Sequence, residues 1–303
     1  MSDDDITDER RVAGFLALLE LEALGRDRFV GDTPSGEGPP RLFGGQVAAQ
    51  SLRAATLTVP ADRLPHSLHA YFVRPGRPGI PLELTVERAR DGRSFTTRRV
   101  SAAQEGEPIF VLDASFHIEE DGEDWQPDDS MPDAPSPEDI PVLESPMRRF
   151  SPMSPFDMRP VGDTHPMGFS MGRFWIRLCG RLPDDPLLHA CAITFVSDMN
   201  MVGAARRPGA DLSRGFMGAS LDHAVWFHVP ARADEWLLFD SSSLRNAGAR
   251  GLAHARLHDR RGRLVATVIQ EALLRPTMSV SPEWEEQMRR FQQEQAKRAG
   301  DGA

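Results

Sequence analysis

Apolar and polar residues follow the same order twice along this chain. In the first half, apolar residues recur at helical spacing over about residues 8–25 and again over about residues 43–57. Strand-like stretches separated by turn residues come next, at about 66–74, 80–88, 95–103 and 108–118. This pattern predicts a helix wrapped by an antiparallel meander of strands.

The second half repeats that order. A strand-like stretch begins at Arg173, and an apolar helical stretch covers about residues 186–200. Four strand-like stretches follow, at about 222–230, 234–241, 250–258 and 263–275. A polar stretch at about 283–298, with Glu and Arg at helical spacing, predicts a solvated terminal helix.

The two halves also match residue by residue in places. Residues 66–75 are echoed by residues 221–230, and the final prolines lie 230 − 75 = 155 positions apart. The turn at Gly106 is matched by the turn at Gly262, at a separation of 262 − 106 = 156 positions. A repeat of this length corresponds to one small domain, so the pattern predicts two fused copies of one α+β module.

We therefore divide the chain into four parts. Residues 1–118 form an N-terminal module with a leading helix, called module one, and residues 119–168 form an acidic, Pro-rich linker. Residues 169–276 form the C-terminal module, called module two, and residues 277–303 form a terminal helix and tail.

Composition narrows the possible functions. The chain has 303 residues and a formal net charge of −10, which argues against non-specific nucleic-acid binding because phosphate contacts need a basic surface. Two cysteines are too few for a disulfide scaffold or a zinc site. The acidic start does not resemble a signal peptide, and no apolar run reaches the ~20 residues that span a bilayer. We expect a cytoplasmic protein that is not inserted in a membrane.

Two familiar motif strings occur outside their usual context. His254 and His258 have the spacing of zinc ligands on a helix, but they fall in a predicted strand, which predicts that no metal binds there. The string from Gly168 to Gly172, with Ser170 at its centre, matches the nucleophile motif of serine hydrolases. The preceding residues do not predict a buried strand and the following ones do not predict a helix, which favours a chance match.

Three polar residues stand where apolar ones would be expected. Asp198 follows the apolar run of the predicted second helix, Gln270 follows the apolar run 264–269, and Ser220 precedes the repeated strand. A carboxylate, an amide and a hydroxyl are together suited to holding one water molecule. The alternatives are a helix cap for Asp198, a turn position for Ser220 and a solvent-facing side chain for Gln270.

Beyond these three residues, several motifs occur in the order found in a known family. The chain resembles the acyl-CoA thioesterase II (TesB-type) family of double hot-dog hydrolases from about residue 10 to residue 275. The matching stretches are Arg41-Leu42-Phe43-Gly44-Gly45-Gln46-Val47, 66–76, 90–95, Ser197-Asp198-Met199-Asn200, 221–228 and Val268-Ile269-Gln270-Glu271. The resemblance implies an α+β fold in which two hot-dog modules, each a helix wrapped by a curled antiparallel sheet, join into one continuous sheet.

The resemblance also implies an activity and a site. It implies hydrolysis of an acyl-CoA thioester to free CoA and a carboxylic (fatty) acid, without a covalent intermediate and without a cofactor. The catalytic residues implied are Asp198, Ser220 and Gln270, and the oxyanion would be held by backbone N–H groups near the start of a hot-dog helix. A homodimer or a higher homo-oligomer is expected as well.

Other charged residues remain open to two interpretations. The Asp222-His223 pair is compatible with a general base, although neighbours on a strand point to opposite faces, which favours a structural role for His223. Arg245 and Arg250 begin an arginine-rich stretch that would suit the CoA phosphates or would simply be solvated. A hot-dog hydratase or dehydratase and a non-catalytic acyl-CoA-binding module are the competing functions.

The predicted catalytic residues all lie in module two. At the 156-residue offset, the position of Gln270 corresponds to Ala114 in module one. The sequence therefore predicts one site per chain, with module one as scaffold and as one wall of the pocket.

Overall fold

One antiparallel sheet and two buried helices make up most of the molecule. The computed structural model describes residues 7–34, 41–140, 155–162, 172–208, 210 and 216–276. The helices in these ranges are α1 (Asp8–Leu19), α2 (Gly44–Thr56), α3 (Pro186–Ser197) and the single turn α4 (Met201–Ala204), with a short 3-10 helix at Pro137–Asp139.

Thirteen strands occur within the same ranges. Those of the first half are β1 (Glu22–Gly25), β2 (Arg28–Gly31), β3 (Arg63–Phe72), β4 (Leu82–Asp91), β5 (Phe95–Gln104) and β6 (Glu107–Ile118). The rest are β7 (Phe156–Pro160), β8 (Arg173–Leu178), β9 (Phe216–Ser220), β10 (Asp222–Phe227), β11 (Leu237–Ala247), β12 (Arg250–Asp259) and β13 (Leu264–Pro276).

Corresponding strands of the two modules stand at equal distances from the centre of the sheet. It runs β1-β2-β4-β5-β6-β3-β10-β13-β12-β11-β8-β7, and β9 pairs with β13 beside this path. The central pair joins β3 of module one to β10 of module two in antiparallel register, with Ala70 opposite His223. The two modules therefore share one continuous sheet, as expected for a double hot-dog fold.

The two long central helices lie against each other and against the sheet. Small buried residues along α2, among them Ala48, Ala54 and Ala55, allow its backbone to approach its neighbours closely. Every residue of α3 from His189 to Ser197 is buried, which is typical of a helix enclosed by protein on all sides. The start of α2 at Gly45 and the end of α3 at Ser197 therefore lie inside the fold.

The end of α3 is fixed by local backbone geometry. Asp185 caps its first turn by accepting a hydrogen bond from the backbone N–H of Leu187 at 2.9 Å. At the other end, Asn200 adopts a left-handed conformation with φ of 62°, which a continuing helix does not allow. Asp198, two residues earlier, is consequently the C-cap residue and stands at a defined position.

The predicted first helix, over residues 8–25, is too long. The helix ends at Leu19, and β1 and β2 form a hairpin in which Asp27 takes a positive φ of 59° at the turn. This hairpin buries Phe29 and adds β2 to the edge of β4. Burial of the aromatic ring and pairing with the sheet outweigh the helical spacing of the residues after Leu19.

Two strands and part of the linker are also better ordered than the sequence pattern indicates. The strand β7 lies within the predicted linker and pairs with β8, while β9 was not anticipated. Gln126 donates to the carbonyl of Gly262 at 2.8 Å and accepts from the N–H of Leu264 at 2.8 Å, so this part of the linker is attached to module two. The four-part division stays a prediction, and the terminal helix at 283–298 lies outside the described residues.

Candidate active site

Asp198, Ser220 and Gln270 come together although they lie on three different elements. Asp198 follows the last residue of α3, Ser220 ends β9, and Gln270 lies in β13 opposite Ala253 of β12. The amide Nε2 of Gln270 donates to Ser220 Oγ at 2.8 Å, and Ser220 Oγ lies 3.4 Å from Asp198 Oδ1. Carboxylate, hydroxyl and amide therefore form one connected group.

Module one supplies a fourth polar group to this cluster. The second carboxylate oxygen of Asp198 accepts a hydrogen bond from the backbone N–H of Gly45 at 2.9 Å, within the first turn of α2. Phe43, the N-cap residue of α2, has no side-chain oxygen to fill this role. Asp198 of module two thus satisfies an unpaired N–H of the module-one helix, and the helix dipole favours its negative charge.

Two glycines make this close approach possible. A Cβ atom at Gly44 would lie 2.7 Å from Asp198 Oδ2 and 2.7 Å from the ring of Phe72. At Gly45, a Cβ atom would lie only 2.2 Å from the backbone oxygen of Phe195, which is far inside van der Waals contact. The Gly44-Gly45 pair therefore allows the start of α2 to approach the end of α3.

The surroundings of Asp198 change its acidity. Its side chain is almost fully buried, and burial raises the pKa of the carboxyl to about 7, against the lowering effect of hydrogen bonds from Gln270, Gly45 and Ser220. A carboxyl with a pKa near neutrality is able to accept and to return a proton at physiological pH, as a general base must.

The hydrogen-bonded chain continues behind Gln270 into the core. Its amide oxygen lies 2.6 Å from Nδ1 of His223, and Nε2 of His223 lies 2.7 Å from Ser197 Oγ. All three residues are buried. Burial lowers the pKa of His223 to about 4, so its imidazole is neutral at physiological pH.

Comparison with known proteins places the chain in a family. A family model described as the acyl-CoA thioesterase N-terminal domain matches residues 33–117, and one described as the acyl-CoA thioesterase C-terminal domain matches residues 127–274. The chain belongs to the acyl-CoA thioesterase family, of the TesB type. This confirms the resemblance that the ordered motifs indicate.

Individual relatives are similar to this chain in sequence over most of its length. It is 36% identical to human acyl-coenzyme A thioesterase 8, covering 87% of this chain and 89% of that protein. It is 33% identical to acyl-CoA thioesterase 2 of Haemophilus influenzae, covering 85% of this chain and 96% of that protein. The crystal structure of an acyl-CoA thioesterase II, TesB2, from Mycobacterium marinum has a TM-score of 0.74 at 40% identity, covering 86% of this chain and 98% of that one.

A more distant structure bears on the fold alone. A protein from Alicyclobacillus acidocaldarius described as having a hot dog fold has a TM-score of 0.68 at 22% identity, covering 88% of this chain and 99% of that one. Together with the continuous sheet that the two modules share, this confirms the predicted double hot-dog fold of the chain.

The Asp222-His223 pair divides between the two faces of the sheet in this family member. His223 points inward to Gln270, whereas the half-buried Asp222 accepts a hydrogen bond from the backbone N–H of Glu271 at 2.7 Å. The two side chains therefore do not form a catalytic Asp–His couple, as the alternation of a strand predicts.

The two arginines proposed for phosphate binding make none of the hydrogen bonds described for the cluster. Arg250 begins β12 and donates to Glu271 at 2.9 Å, and Arg245 is exposed near the end of β11. Because both side chains are exposed, a contact with an external anion is sterically open, and their role in the thioesterase-family chain stays a prediction.

The remaining motif strings give no second site among the described residues. His254 and His258 both lie in β12, as the strand pattern predicts, and the part of the chain that the structure describes holds no cluster of three or more His, Cys, Asp or Glu side chains suited to a metal. Ser170 lies outside the described residues. No helix in the described ranges is long and apolar enough to cross a bilayer.

Sequence reasoning missed Gly45 and Ser197 as members of the cluster and treated His223 as a core residue. The Gly44-Gly45 pair after a Phe that cannot cap a helix was a signal for a helix start with a partner elsewhere. Ser197 belongs to one of the matching family stretches, but its pattern did not indicate a contact with His223, because a serine at a helix end is common in any protein.

Proposed function

We propose that this chain hydrolyses the thioester of an acyl-CoA to free CoA and a carboxylic acid, with a fatty acid as the natural product class. The observation that carries the proposal is the group of Asp198, Ser220 and Gln270 at the start of α2, in a chain of this family. The names of its relatives support the reaction, and the geometry supports the roles of the residues.

Water attacks the thioester carbonyl in the proposed mechanism. Ser220 and Gln270 orient the water, and Asp198 accepts one of its protons as the new C–O bond forms. The tetrahedral oxyanion then collapses, the C–S bond breaks, and Asp198 returns the proton to the departing CoA thiolate. The products are a carboxylic acid and the CoA thiol, so atoms and charge balance without a cofactor or a covalent enzyme intermediate.

The oxyanion needs preorganised donors, for which the first turn of α2 is the best-placed element. The backbone N–H of Gly45 in this turn donates to the carboxylate of Asp198. A thioester carbonyl close enough to react with water held by Asp198 therefore lies beside the same turn. Donors of this kind typically contribute about 10²–10³ in rate. Module one would then supply the oxyanion donors, while module two would supply the base.

Three finer features belong to the same proposal. Arg245 and Arg250 are proposed to contact the CoA phosphates through charge-assisted hydrogen bonds. The protein is proposed to form a homodimer or a higher homo-oligomer and to act in the cytoplasm, as the resemblance and the composition predict.

The release of free thiol tests the function directly. Wild-type protein is incubated with acyl-CoAs of short, medium and long chain, and the CoA thiol is followed with a thiol reagent. We expect release by the wild type, a fall in kcat on the order of 10²–10⁴ for Asp198→Asn, and a fall on the order of 10² for Gln270→Ala, because base and water orientation are lost.

The competing functions give different results in the same assay. Undiminished kcat in Asp198→Asn and Gln270→Ala would contradict the proposed site, and loss confined to Ser170→Ala would favour a serine hydrolase. Hydration of an enoyl-CoA without thiol release would favour a hydratase. Binding of acyl-CoA with no turnover at any chain length would favour a non-catalytic module.

A further inference from the structure

A second layer of buried polar residues lies behind the three proposed catalytic residues. His223 of β10 contacts Gln270 at 2.6 Å, and Ser197 at the end of α3 contacts His223 at 2.7 Å. His223 is 1% exposed and Gln270 is 0% exposed, so neither contact competes with bulk water. His223 is almost fully buried, and its side-chain hydrogen bond to the three proposed catalytic residues, among the residues that the structure describes, is the one to Gln270.

The direction of each hydrogen bond follows from the charge on Asp198. An ionised carboxylate only accepts, so Ser220 must donate its single hydroxyl hydrogen to it. The lone pairs of Ser220 Oγ are then left for the amide N–H of Gln270, at 2.8 Å. This assignment turns the amide oxygen of Gln270 toward His223, and an amide oxygen also only accepts.

The imidazole of His223 is therefore required in one tautomer. Its Nδ1 must carry the hydrogen that the oxygen of Gln270 accepts, and since the ring is neutral its Nε2 is a bare acceptor. Ser197 Oγ lies 2.7 Å from that Nε2 and 2.8 Å from the carbonyl oxygen of Thr194, and its single hydrogen serves one of these two at a time. Only a hydrogen directed to His223 satisfies Nε2.

An amide group without such a neighbour has two nearly equivalent orientations. Rotating the end of Gln270 by half a turn would place its oxygen against Ser220 Oγ, and Ser220 would then donate to Gln270 instead of Asp198. The donor at Nδ1 of His223 disfavours this rotated form, because the amide N–H would then face another N–H. The orientation of Gln270 thus depends on which hydrogen His223 presents.

We infer that His223, supported by Ser197, is a positioning residue that fixes the amide of Gln270 with its N–H toward Ser220 and Asp198. The inference rests on the proposed function of that cluster and deepens it. Module one shows that the fold does not need an imidazole at this place, because its corresponding residue in β3 is the buried Leu68, which lies opposite Ala114. The imidazole accordingly serves the cluster and not the packing of the sheet.

Three variants separate positioning from packing. His223→Leu introduces the residue that module one uses, fills the space and removes the donor. His223→Asn places an N–H donor close to the position of Nδ1. His189→Leu is the matched control, because it removes another buried imidazole, whose Nδ1 accepts from the N–H of Ala233 away from the cluster.

Steady-state kinetics against pH give the first readout. In His223→Leu we expect kcat to fall by about tenfold to a hundredfold with KM unchanged, since the amide loses its orientation. The acid limb of the profile should move to higher pH, because the hydrogen bond of Gln270 helps to keep Asp198 ionised. His223→Asn should restore both values in large part, and His189→Leu should leave the midpoint of the acid limb at its wild-type position.

The tautomer itself gives a readout that does not depend on activity. Long-range ¹H–¹⁵N correlation spectra of the wild-type chain, with the His223 signals assigned from His223→Asn, should show the neutral Nδ1–H form. The Nε2–H form at neutral pH would overturn the inference, and so would a His223→Leu protein with wild-type kcat and an unmoved acid limb. A wild-type protein that releases no thiol would overturn the proposed function alone, and the tautomer would still decide the orientation of Gln270.

Discussion

Corresponding buried positions in the two modules differ in polarity. Gln270 in β13 and Ala114 in β6 are both fully buried, and each lies opposite a residue of the neighbouring hairpin strand. In module two that partner is Ala253, which leaves room for the amide of Gln270 to reach Ser220. In module one it is Arg98, whose side chain occupies the space beside the small Ala114.

The two modules also differ in the residues at which their buried hydrogen bonds end. The guanidinium of Arg98 donates to Thr58 Oγ1 at 2.9 Å, to the carbonyls of Arg90 and Thr97 at 3.0 Å each, and to Asp91. Its hydrogen-bonding capacity is used within module one, and its side chain is 0% exposed. In module two the chain of hydrogen bonds ends on Asp198, the proposed base. The C-cap counterpart of Asp198 in module one is Leu57.

Among the variants that test this comparison, we expect the largest effect, a loss of stability, from replacing Arg98. Arg98→Met keeps an unbranched side chain but removes every donor, which leaves buried carbonyl groups and Thr58 without their partner. We expect a loss of about 3 kcal/mol in the free energy of unfolding. Because the five hydrogen bonds that the Arg98 guanidinium donates all end within module one, kcat of the surviving folded enzyme should be unchanged. Urea unfolding and thiol release measure the two quantities.

Arg99 is the matched control for that experiment. It is the next residue along β5, but its side chain is exposed and pairs with the exposed Asp113. Arg99→Met should have only a small effect on stability, because exposed ion pairs contribute little. A large fall in kcat for Arg98→Met would show that module one takes part in the chemistry through this position, and the two modules would then differ less than the geometry indicates.

The sequence predicts that module one lacks the amide found in module two, but it does not predict the buried arginine that lies there. The missing amide at Ala114 follows from the repeat offset, and the meander of each module follows from its alternating strands. The burial of Arg98 could not be predicted, because a charged residue in a strand pattern is normally assigned to the solvent face. Its burial depends on carbonyl groups from β4 and the end of α2, which sequence spacing does not bring together.

The candidate site likewise has features that the sequence predicts and features that it does not. Asp198, Ser220 and Gln270 could be selected because they interrupt apolar patterns or match family motifs. The contact between Asp198 and the N–H of Gly45 joins residues 153 positions apart and depends on how two helices end inside one sheet. The hairpin of β1 and β2 was missed for a similar reason, since Ala23 continues the helical spacing of α1 and the pairing of β2 with the edge of β4 cannot be read from local spacing.

The pH dependence of stability provides a second, smaller test of the comparison. The pKa of Asp198 is raised to about 7, so the folded chain holds the proton more tightly than the unfolded chain. The stability that this proton confers is complete below the unfolded pKa and is lost as pH rises through the folded value. Asp198→Asn removes the titration. We expect wild type to lose about 2–3 kcal/mol more than the variant between about pH 5 and about pH 8.

Urea unfolding at the two pH values measures this difference. The counterpart control is Leu57→Asn in module one, which adds an amide at a C-cap without removing a titrating group, and its pH dependence should follow that of the wild type. Equal pH dependence in wild type and Asp198→Asn would mean that Asp198 keeps an ordinary carboxyl pKa. The proposed base would then be ionised throughout the neutral range, and a different group would have to set the acid limb.

The smallest expected effect concerns the arginines that match across the repeat. Arg90 in β4 and Arg245 in β11 both follow a register shift in their hairpins, and both are exposed. If the CoA phosphates bind beside module two, Arg245→Ala should raise KM by about threefold to tenfold with kcat unchanged, the loss expected for one charge-assisted hydrogen bond at an exposed site. Arg90→Ala should leave KM unchanged. Equal increases in both variants would instead indicate a long-range effect, because the loss of any cation strengthens the repulsion between the acidic chain and the CoA phosphates. An increase only for Arg90→Ala would place the phosphates on module one, beside the helix start that donates to Asp198.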